Sequence, residues 1–222
     1  MRERSRRFFD LALGAGALSF GEFTLKSGRV SPYFFDLGRI RHGREIAELG
    51  TLYAETLIEA KLSVSTLFGP AYKGIPLVVA TAIALSRLQT EPVGYAFNRK
   101  EAKDHGEGGR IVGGPIKGPL VIIDDVITAG TAIRETMVLL ETTPARPVGV
   151  IVALDREERG TESTRSALQD TGIQWGLAVQ AIASFSDLIE YLNHEPRWKT
   201  TYESLARYRA RYGTNPAESA PL

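Results

Sequence analysis

The amino-acid sequence predicts an α/β fold with a central, mostly parallel sheet flanked by helices. Short, almost uninterrupted apolar runs at residues 120–123 and 148–154 are typical of strands that are buried on both faces. Between such runs, apolar residues recur at helical spacing, as they do in residues 43–60. Ligands of parallel sheets bind at the carboxyl ends of the strands, so the loops that follow the strands should lie together at one edge. These loops are residues 69–74, 99–110, 124–131 and 155–160.

Each element follows from its local pattern. A hairpin is expected at residues 20–37, where Ser27 and Gly28 form the turn and Pro32 limits the second strand. Further strands are expected at residues 64–68, 92–97, 120–123, 148–154 and 177–182. Helices are expected at residues 4–13, 43–60, 75–87, 161–171 and 198–212. A further helix should follow the loop at residues 124–130 and continue to about residue 141. Ser184 and Asp187 form a capping pair that predicts one more helix.

These elements form a single domain with three parts. They are a small N-terminal hood (about residues 1–40), a core (about 41–195), and a C-terminal helix and tail (about 196–222). The tail from residue 214 is rich in proline and small polar residues, so we expect it to be disordered.

Composition and charge restrict the classes of function. Of the 222 residues, 43% are hydrophobic and 24% are charged, which is ordinary for a globular protein. The net charge of +1 gives no overall attraction to nucleic acid or to a membrane, and we expect neither as a partner. The absence of cysteine excludes disulfides and thiolate chemistry and agrees with a cytoplasmic location. No apolar run approaches the roughly 20 residues that span a bilayer, and Asp10 interrupts the N-terminal apolar stretch, which predicts an amphipathic helix rather than a signal peptide.

The most informative segment follows the apolar run at residues 120–123. It reads Asp124-Asp125-Val126-Ile127-Thr128-Ala129-Gly130-Thr131-Ala132. Backbone N–H groups, two hydroxyls and a helix N-terminus suit a phosphate group, and glycine lets the backbone approach it closely. The two carboxylates can accept hydrogen bonds from ribose hydroxyls or act through Mg²⁺. The alternative is that the acids form a solvated strand end that caps a helix.

This segment resembles the motif with which type I phosphoribosyltransferases bind phosphoribosyl pyrophosphate (PRPP). The motif has two hydrophobic residues, two acids, two hydrophobic residues and then Thr-x-Gly-Thr. The resemblance implies the fold of that family, with a hood beside the main sheet. It also implies that Asp124 and Asp125 hold the ribose, that the residues from Ile127 to Thr131 surround the 5′-phosphate, and that Val126 and Ala132 complete the PRPP-binding segment.

Two segments on the amino-terminal side resemble those of orotate phosphoribosyltransferases. In the hood, the resemblance implies that Lys26 reaches PRPP and that Phe34 and Phe35 line the orotate site. The alternative is that both aromatic residues belong to the core of the hairpin. In the loop at residues 69–74, Tyr72 and Lys73 match the positions that bind pyrophosphate.

Residues 98–109 are charged, rich in glycine and without an apolar anchor, as in a mobile lid. The alternative is an ordinary solvated loop. Its cations, Arg99, Lys100, Lys103 and His105, suit a departing pyrophosphate. The segment resembles the catalytic loop of orotate phosphoribosyltransferases, which closes over the active site of the neighbouring subunit. The resemblance therefore implies a homodimer with shared sites, and it assigns catalysis to Lys103, Lys73, Arg99 and His105.

Arg156 follows the apolar run at residues 148–154 and offers a planar fork for a carboxylate. The resemblance implies that Arg156 and Thr128 bind the carboxylate of orotate. The alternative is that Arg156 pairs with Glu157 or Glu158. His42 and His194 lie outside every motif and are interpreted as structural or surface residues.

Together, the resemblances imply an enzyme that transfers the 5-phosphoribosyl group of PRPP to orotate in pyrimidine biosynthesis. Mg²⁺ would be bound mainly through PRPP and water, without a metal site made of protein ligands alone. One alternative is a related enzyme that acts on a purine base, against which the hood and Arg156 argue. Another is a PRPP-sensing regulatory protein without catalysis, against which the cationic segment argues.

Overall fold

The computed structural model describes residues 1–25, 27–103, 109–160, 163–193 and 196–214, and only the backbone of residues 102, 103 and 109. Its helices are α1 (Glu3–Gly14), α2 (Gly43–Glu59), α3 (Gly74–Leu88), α4 (Thr131–Leu140), α5 (Ala167–Trp175), α6 (Phe185–Asn193) and α7 (Lys199–Tyr212). Its strands are β1 (Leu18–Thr24), β2 (Val30–Phe35), β3 (Thr66–Gly69), β4 (Gly94–Lys103), β5 (Gly109–Gly113), β6 (Gly118–Asp124), β7 (Ala145–Asp155) and β8 (Ala178–Ser184). Short 3-10 turns cover Leu37–Arg39 and Pro196–Trp198.

The main sheet has six strands in the order β5-β4-β3-β6-β7-β8. Strands β4, β3, β6, β7 and β8 are parallel, and β5 pairs with β4 in the antiparallel direction. The prediction of a mostly parallel sheet flanked by helices is therefore confirmed. Because β3 and β6 are neighbours, the loops that follow them leave the same edge of the sheet.

The central strands are apolar throughout because both of their faces are covered. In β6, Val121 and Ile123 belong to one hydrophobic cluster, whereas Leu120 and Ile122 belong to a second cluster on the opposite face. Successive strand side chains point to opposite faces, so an uninterrupted apolar run is needed to fill both layers.

The hood and the C-terminal helix share the first of these clusters. Strands β1 and β2 form a separate antiparallel sheet. Phe8 from α1, Tyr33 from β2 and Leu205 from α7 are all fully buried in the cluster that also contains Val121. The hairpin is thereby packed against the main sheet together with α1 and α7, which lie near opposite ends of the chain.

Three details differ from the sequence-based expectations. Residues 99–103 do not form a loop, because they continue β4, which pairs with β5 through Asn98 and Ile111. The helix expected at residues 161–171 begins only at Ala167, since the Ser166 hydroxyl accepts a hydrogen bond from the Gln169 N–H (3.3 Å) and caps it there.

The third difference concerns Pro32, which lies within β2 (Val30–Phe35) and does not limit the length of that strand. An irregularity in the pairing of β1 and β2 between Phe20 and Phe23 leaves no paired partner at Pro32, so its missing N–H removes no ladder bond. The capping pair at α6 is confirmed: the Asp187 N–H donates to the Ser184 hydroxyl (3.2 Å), and the Ser184 N–H donates to the Asp187 carboxylate (3.0 Å). The tail beyond residue 214 lies outside the described residues.

Candidate functional site

The acid pair and the loop before α3 meet at the carboxyl edge of the sheet. Asp124 ends β6, and Lys73 lies just before α3, in the loop that follows β3. The Lys73 Nζ donates to Asp125 Oδ2 at 2.7 Å and lies 3.9 Å from Asp36 Oδ1. This contact brings together residues that the sequence placed in two separate motifs, and it adds Asp36, which the sequence analysis missed.

The acid pair is held rigidly. The Asp125 N–H donates to Asp124 Oδ1 (2.9 Å), and the Val126 N–H donates to Asp125 Oδ1 (2.8 Å). From α2, the Tyr53 hydroxyl donates to the Asp124 carbonyl at 2.7 Å. Both aspartates are buried, at 7% and 8% exposure, but the Lys73 side chain that pairs with Asp125 is 56% exposed. The pair is thus not a solvated strand end. Its partner Lys73 also lies at the carboxyl edge of the sheet, where the lysine side chain is open to solvent.

Burial gives this edge unusual proton affinities. Burial, followed by the charge of Asp125, raises the pKa of Asp124 from 3.8 to about 7, against the opposing effects of a backbone N–H and Lys73. Burial lowers the pKa of Lys73, but the hydrogen bond and charge of Asp125 outweigh it and leave the pKa above its ordinary value. Lys73 is therefore a stable cation beside the acid pair, in which the pKa of Asp124 lies near neutral pH.

The loop after the acids offers an anchored half and an open half. The Ile127 side chain is buried in the second hydrophobic cluster, and Val126 packs against the first. Thr128, Ala129, Thr131 and Ala132 are exposed. Gly130 has φ +67°, a left-handed conformation that favours glycine, and α4 begins after it without a side-chain cap. The first N–H groups of α4 are thereby left for an external acceptor.

The loop at residues 69–74 depends on two glycines. A Cβ on Gly69 would lie 2.2 Å from the Gly74 carbonyl oxygen, so the two backbone segments approach too closely for a side chain. The Ala71 N–H donates to Asn98 Oδ1 at 2.8 Å, and the Ala71–Tyr72 peptide bond is cis. The loop is therefore tied to the start of the cationic segment on β4.

The cationic segment is attached to the site through Tyr72, which is 67% exposed. The Lys100 Nζ lies 5.0 Å from the centre of the Tyr72 ring. Arg99 is half-buried on β4, and Lys103 ends that strand, with its side chain outside the described residues. His105, Lys26 and His194 also lie outside them.

The two aromatic residues of the hood have different surroundings. Phe34 is 40% exposed, with its ring 5.4 Å from that of Phe23. Phe35 is half-buried, with its ring 5.7 Å from that of Phe8. Because neighbouring residues of a strand point to opposite faces, Phe35 faces the core and Phe34 faces outward. The alternative that these aromatic residues belong to the core therefore applies to Phe35, whereas Phe34 is open to solvent.

Arg156 is paired with Glu158, one of the two acids that the sequence offered. The Arg156 Nε and Nη2 donate to Glu158 Oε1 at 2.9 and 2.5 Å, and the guanidinium lies 4.5 Å above the Tyr33 ring. The two charged side chains are only 14% and 13% exposed, so this is a buried pair and not a surface contact. Burial lowers the pKa of Arg156, but the neighbouring Tyr33 and Glu158 outweigh it and raise that pKa above its ordinary value.

His42 has a structural position, as interpreted from the sequence. Its backbone N–H donates to Glu45 Oε2 at 3.1 Å, at the start of α2. Other supporting residues, Tyr53 and Asn98, were missed. Tyr53 was visible only as an apolar position at helical spacing, and no pattern in the sequence indicated that Asn98 would hold the neighbouring loop.

Among the residues whose positions are described, no three acidic or histidine side chains cluster as a ready-made metal site. The donors at the edge are the carboxylates of Asp124 and Asp125, and one of them is engaged by Lys73. Such a set fits a hard cation that takes most of its ligands from a bound phosphate compound and water. Among all the residues that the structure describes, no helix is both long enough and apolar enough to cross a membrane.

Comparison with known proteins agrees with this geometry. The phosphoribosyl transferase domain family matches residues 37–181. The orotate phosphoribosyltransferase of Methylococcus capsulatus is 51% identical over 214 residues, which is 96% of this chain and all of that protein. The crystal structure of the orotate phosphoribosyltransferase of Francisella tularensis has a TM-score of 0.83 and 38% identity, and the match covers 93% of this chain and 99% of that one.

A more distant likeness shows the fold alone. The adenine phosphoribosyltransferase of Saccharomyces cerevisiae has a TM-score of 0.55 and 18% identity, with 79% of this chain covered and 98% of that one. The fold thus serves enzymes that use different bases, and sequence identity over the full length distinguishes among them. By that criterion, the chain belongs to the orotate phosphoribosyltransferase family.

Proposed function

We propose that this enzyme transfers the 5-phosphoribosyl group of PRPP to orotate, which yields orotidine 5′-monophosphate (OMP) and pyrophosphate for pyrimidine biosynthesis. The observation that carries the proposal is the 2.7 Å contact between Lys73 and Asp125. It places the cation of one loop beside the acid pair of another, which is the arrangement needed for a substrate with a diphosphate on one side of a ribose.

PRPP would bind across this edge. The carboxylates of Asp124 and Asp125 accept hydrogen bonds from the ribose hydroxyls, and the open half of the following loop, from Thr128 to Ala132, receives the 5′-phosphate at the N-terminus of α4. Lys73 then exchanges its contact with Asp125 for one with the pyrophosphate. Its raised pKa favours this role, since the side chain remains charged at neutral pH.

The reaction is a displacement at the anomeric carbon, in which the bond to pyrophosphate breaks, the orotate nitrogen forms the new bond, and the proton of that nitrogen leaves to pyrophosphate or solvent. The protein has little covalent chemistry to perform, so its contribution is orientation and the neutralisation of negative charge. Lys73, Tyr72 and the cations Arg99, Lys100, Lys103 and His105 would surround the leaving group, with Lys26 reaching from the hood. When bound with PRPP, Mg²⁺ would supply further positive charge at the pyrophosphate.

Orotate would lie between the hood and the loop after β7. Arg156 and the Thr128 hydroxyl would bind the carboxylate, and the outward-facing Phe34 ring, with the backbone groups of Phe34 and Phe35, would form the hood side of the site. The support for Arg156 is its fixed, buried and permanently charged state, because a desolvated arginine binds a carboxylate more strongly than an exposed one does.

We also propose a cytoplasmic homodimer in which the segment around Lys103 closes over the site of the partner subunit. Large apolar side chains are exposed on two helices of the core. Ile58 of α2 is 44% exposed, and Ile83 and Leu88 of α3 are 50% and 49% exposed. Such exposure fits a contact between subunits. The mass in solution, and the activity of a mixture of Asp125→Asn and Lys103→Ala proteins, test the two halves of this proposal.

The activity itself is tested by consumption of orotate in the presence of PRPP and Mg²⁺. OMP should form with orotate, and adenine, guanine or hypoxanthine should give no nucleotide. Lys73→Met should reduce turnover, whereas Lys117→Met should leave it unchanged, because Lys117 is exposed just before β6, at the opposite edge of the sheet. Formation of a purine nucleotide, or binding of PRPP without release of pyrophosphate, would contradict the proposal.

A further inference from the structure

A buried polar cluster lies where the hood, the loop after β7 and α7 meet. It contains Ser31 and Tyr33 from β2, Arg156 and Glu158 from the loop, and Tyr208 from α7. Sequence patterns assigned a role to only one of these residues, Arg156, and they assigned none to the C-terminal helix. The geometry of the cluster gives the others a role.

Within the cluster, Arg156 is held on one edge and one face. Its Nε and Nη2 both donate to Glu158 Oε1, Nη2 lies 3.5 Å from the Ser31 hydroxyl, and the Tyr33 ring lies 4.5 Å below the guanidinium. A guanidinium has five N–H groups, of which the two on Nη1 make no hydrogen bond to any residue in the described ranges. The remaining approach for a carboxylate is therefore from the Nη1 end.

Helix α7 completes this arrangement. The Tyr208 ring packs edge-on against Tyr33 and Phe185, with centroid distances of 6.4 and 6.2 Å, and the residue is 6% exposed. Its hydroxyl oxygen is buried without a hydrogen-bond partner among the described residues, although Glu158 lies near enough to affect its pKa. Burial, followed by the charge of Glu158, raises that pKa, so the hydroxyl remains neutral.

The backbone at the end of α7 also grips the loop that carries Arg156. The Arg159 N–H donates to the Tyr212 carbonyl at 2.9 Å, and the Thr214 N–H donates to the Glu157 carbonyl at 2.8 Å. The loop is thus fixed on both sides of Glu158 by the C-terminal segment. A loop of this kind would otherwise be among the more mobile parts of a sheet edge.

From this geometry we infer that Glu158 and Tyr208 are positioning residues for Arg156, so that α7 forms part of the apparatus that selects orotate by its carboxylate. Glu158 fixes the direction of the guanidinium fork, and Tyr208 fixes the Tyr33 ring beneath it. The inference rests on the proposed contact between Arg156 and the orotate carboxylate. It adds that the contact depends on a helix that does not itself touch the substrate.

The test compares two ligands that differ only in the carboxylate, OMP and uridine 5′-monophosphate (UMP). The measured quantity is the ratio of their dissociation constants, the OMP preference. UMP affinity reports whether the rest of the site is intact. Hydrogen bonds to charged groups contribute about 1.5–3 kcal/mol, which corresponds to about 10–100-fold in that ratio.

Glu158→Ala should reduce the OMP preference about tenfold, whereas Glu158→Gln should stay within about threefold of the parent, because its amide oxygen can still accept from Nε and Nη2. If Glu158 acted only as a competing negative charge, the two variants would behave alike and both would increase the preference. That outcome would overturn the inference.

Tyr208→Leu should reduce the preference about fivefold with UMP affinity unchanged, since it removes a ring that supports Tyr33. Tyr202→Leu is the matched control, because it removes a half-buried ring from the same helix and should leave the preference unchanged. An unaltered preference in both Glu158→Ala and Tyr208→Leu would overturn the inference.

Arg156→Lys separates the inference from the proposal on which it rests. A lysine cannot present a fork, so this variant should lose the OMP preference. If it retains the preference, the proposed role of Arg156 fails. If it loses the preference while Glu158→Ala and Tyr208→Leu keep it, the role of Arg156 stands and only the positioning role fails.

Discussion

The acid pair and the cationic hairpin, which we define as β4 and β5, lie at the same edge of the sheet with β3 between them, but they are built differently. Asp124 and Asp125 are buried and take hydrogen bonds from two backbone N–H groups and Lys73. On the hairpin, Lys100 is exposed and reaches the rest of the site through the Tyr72 ring. The groups proposed to bind the sugar are thus preorganised, whereas the cations proposed to meet the leaving group stand on a pair of strands at the end of the sheet.

This difference separates the two tasks of the enzyme. Ribose hydroxyls are neutral and need acceptors in fixed positions, which a strand end can provide at once. A pyrophosphate arrives with its own charge and must later leave, so cations that can approach and withdraw serve it better than buried ones. Lys73 lies between the two regions, because it is half-exposed yet paired with Asp125.

The largest expected effect comes from the preorganised region. Asp125→Asn should weaken PRPP binding by about 10–100-fold, because it replaces a charged acceptor of the ribose hydroxyls by a neutral one. Calorimetric titration with PRPP measures it. Asp170→Asn is the control, since it breaks an ion pair with Arg165 that is far less buried, at 43% and 37% exposure. An unchanged dissociation constant for PRPP in Asp125→Asn would contradict the assignment of ribose binding.

On the hairpin, Lys103→Ala should lower turnover more than about tenfold, that is, by over about 1.4 kcal/mol of barrier. Lys103 occupies a central place in the cationic segment, so its charge should act mainly in the transition state, and the dissociation constant for PRPP should change little. Steady-state and binding measurements together test this, with Lys117→Ala as the control. Turnover within twofold of the parent would refute a catalytic role.

Burial of the acid pair Asp124 and Asp125 should also lower the stability of the folded protein at neutral and higher pH. Because the folded state raises the pKa of Asp124 to about 7, it binds a proton more tightly than the unfolded chain does. The free energy of unfolding should therefore fall as pH rises from about 4 to about 7, and remain lower above that range. Asp124→Asn should be more stable than the parent at pH 8, by about 2 kcal/mol, while it binds PRPP more weakly.

Urea denaturation at pH 5 and pH 8 measures this effect. The parent should lose more stability between the two values than Asp124→Asn does. Burial also raises the pKa of Asp155 to about 6, so Asp155 lowers the free energy of unfolding over the same pH range. Because both proteins contain Asp155, the difference between their declines in stability reports on Asp124 alone. Equal declines in the two proteins would show that Asp124 is ionised in the folded state throughout this range.

The same contrast explains what could be predicted from the sequence. The acid pair lies in a continuous segment whose strand, turn and helix are all encoded locally, so its position at the strand end and the turn that follows it were predictable. The hairpin was predicted as a loop, because charged and glycine-rich residues such as Glu101 and Gly109 have low strand propensity. Pairing of Asn98 with Ile111 and of Lys103 with Gly109 extends the strand, and these nonlocal contacts are not visible in a local pattern.

Contacts between distant segments were the other gap. The sequence offered Glu157 and Glu158 equally as partners of Arg156, but in the fold Arg156 pairs with Glu158, whereas Glu157 accepts a hydrogen bond from the Ser186 N–H (2.7 Å). Similarly, Asp36 and Asn98 support the loop at residues 69–74 from other elements. Residues proposed to act on substrate lie in recognisable segments, whereas the residues that contact and support them are distributed through the fold.

The smallest expected effect concerns the contact that joins the two regions. Tyr72→Leu removes the ring over which Lys100 lies, and an exposed cation–π contact contributes about 0.5–1 kcal/mol. The Michaelis constant for PRPP should rise about two- to fivefold, with turnover nearly unchanged. Tyr95→Leu, which removes a 41% exposed ring from β4 before the cations, is the matched control and should leave both constants unchanged.

The size of this effect distinguishes two ways in which the hairpin could be held. If the Tyr72 ring only keeps Lys100 near the loop, high salt should weaken PRPP binding in parent and variant by the same factor, because the lysine charge is still present. If Tyr72→Leu instead lowers turnover more than tenfold, the ring contacts the reacting groups. The hairpin would then be preorganised like the acid pair, and the contrast between the two regions would not hold.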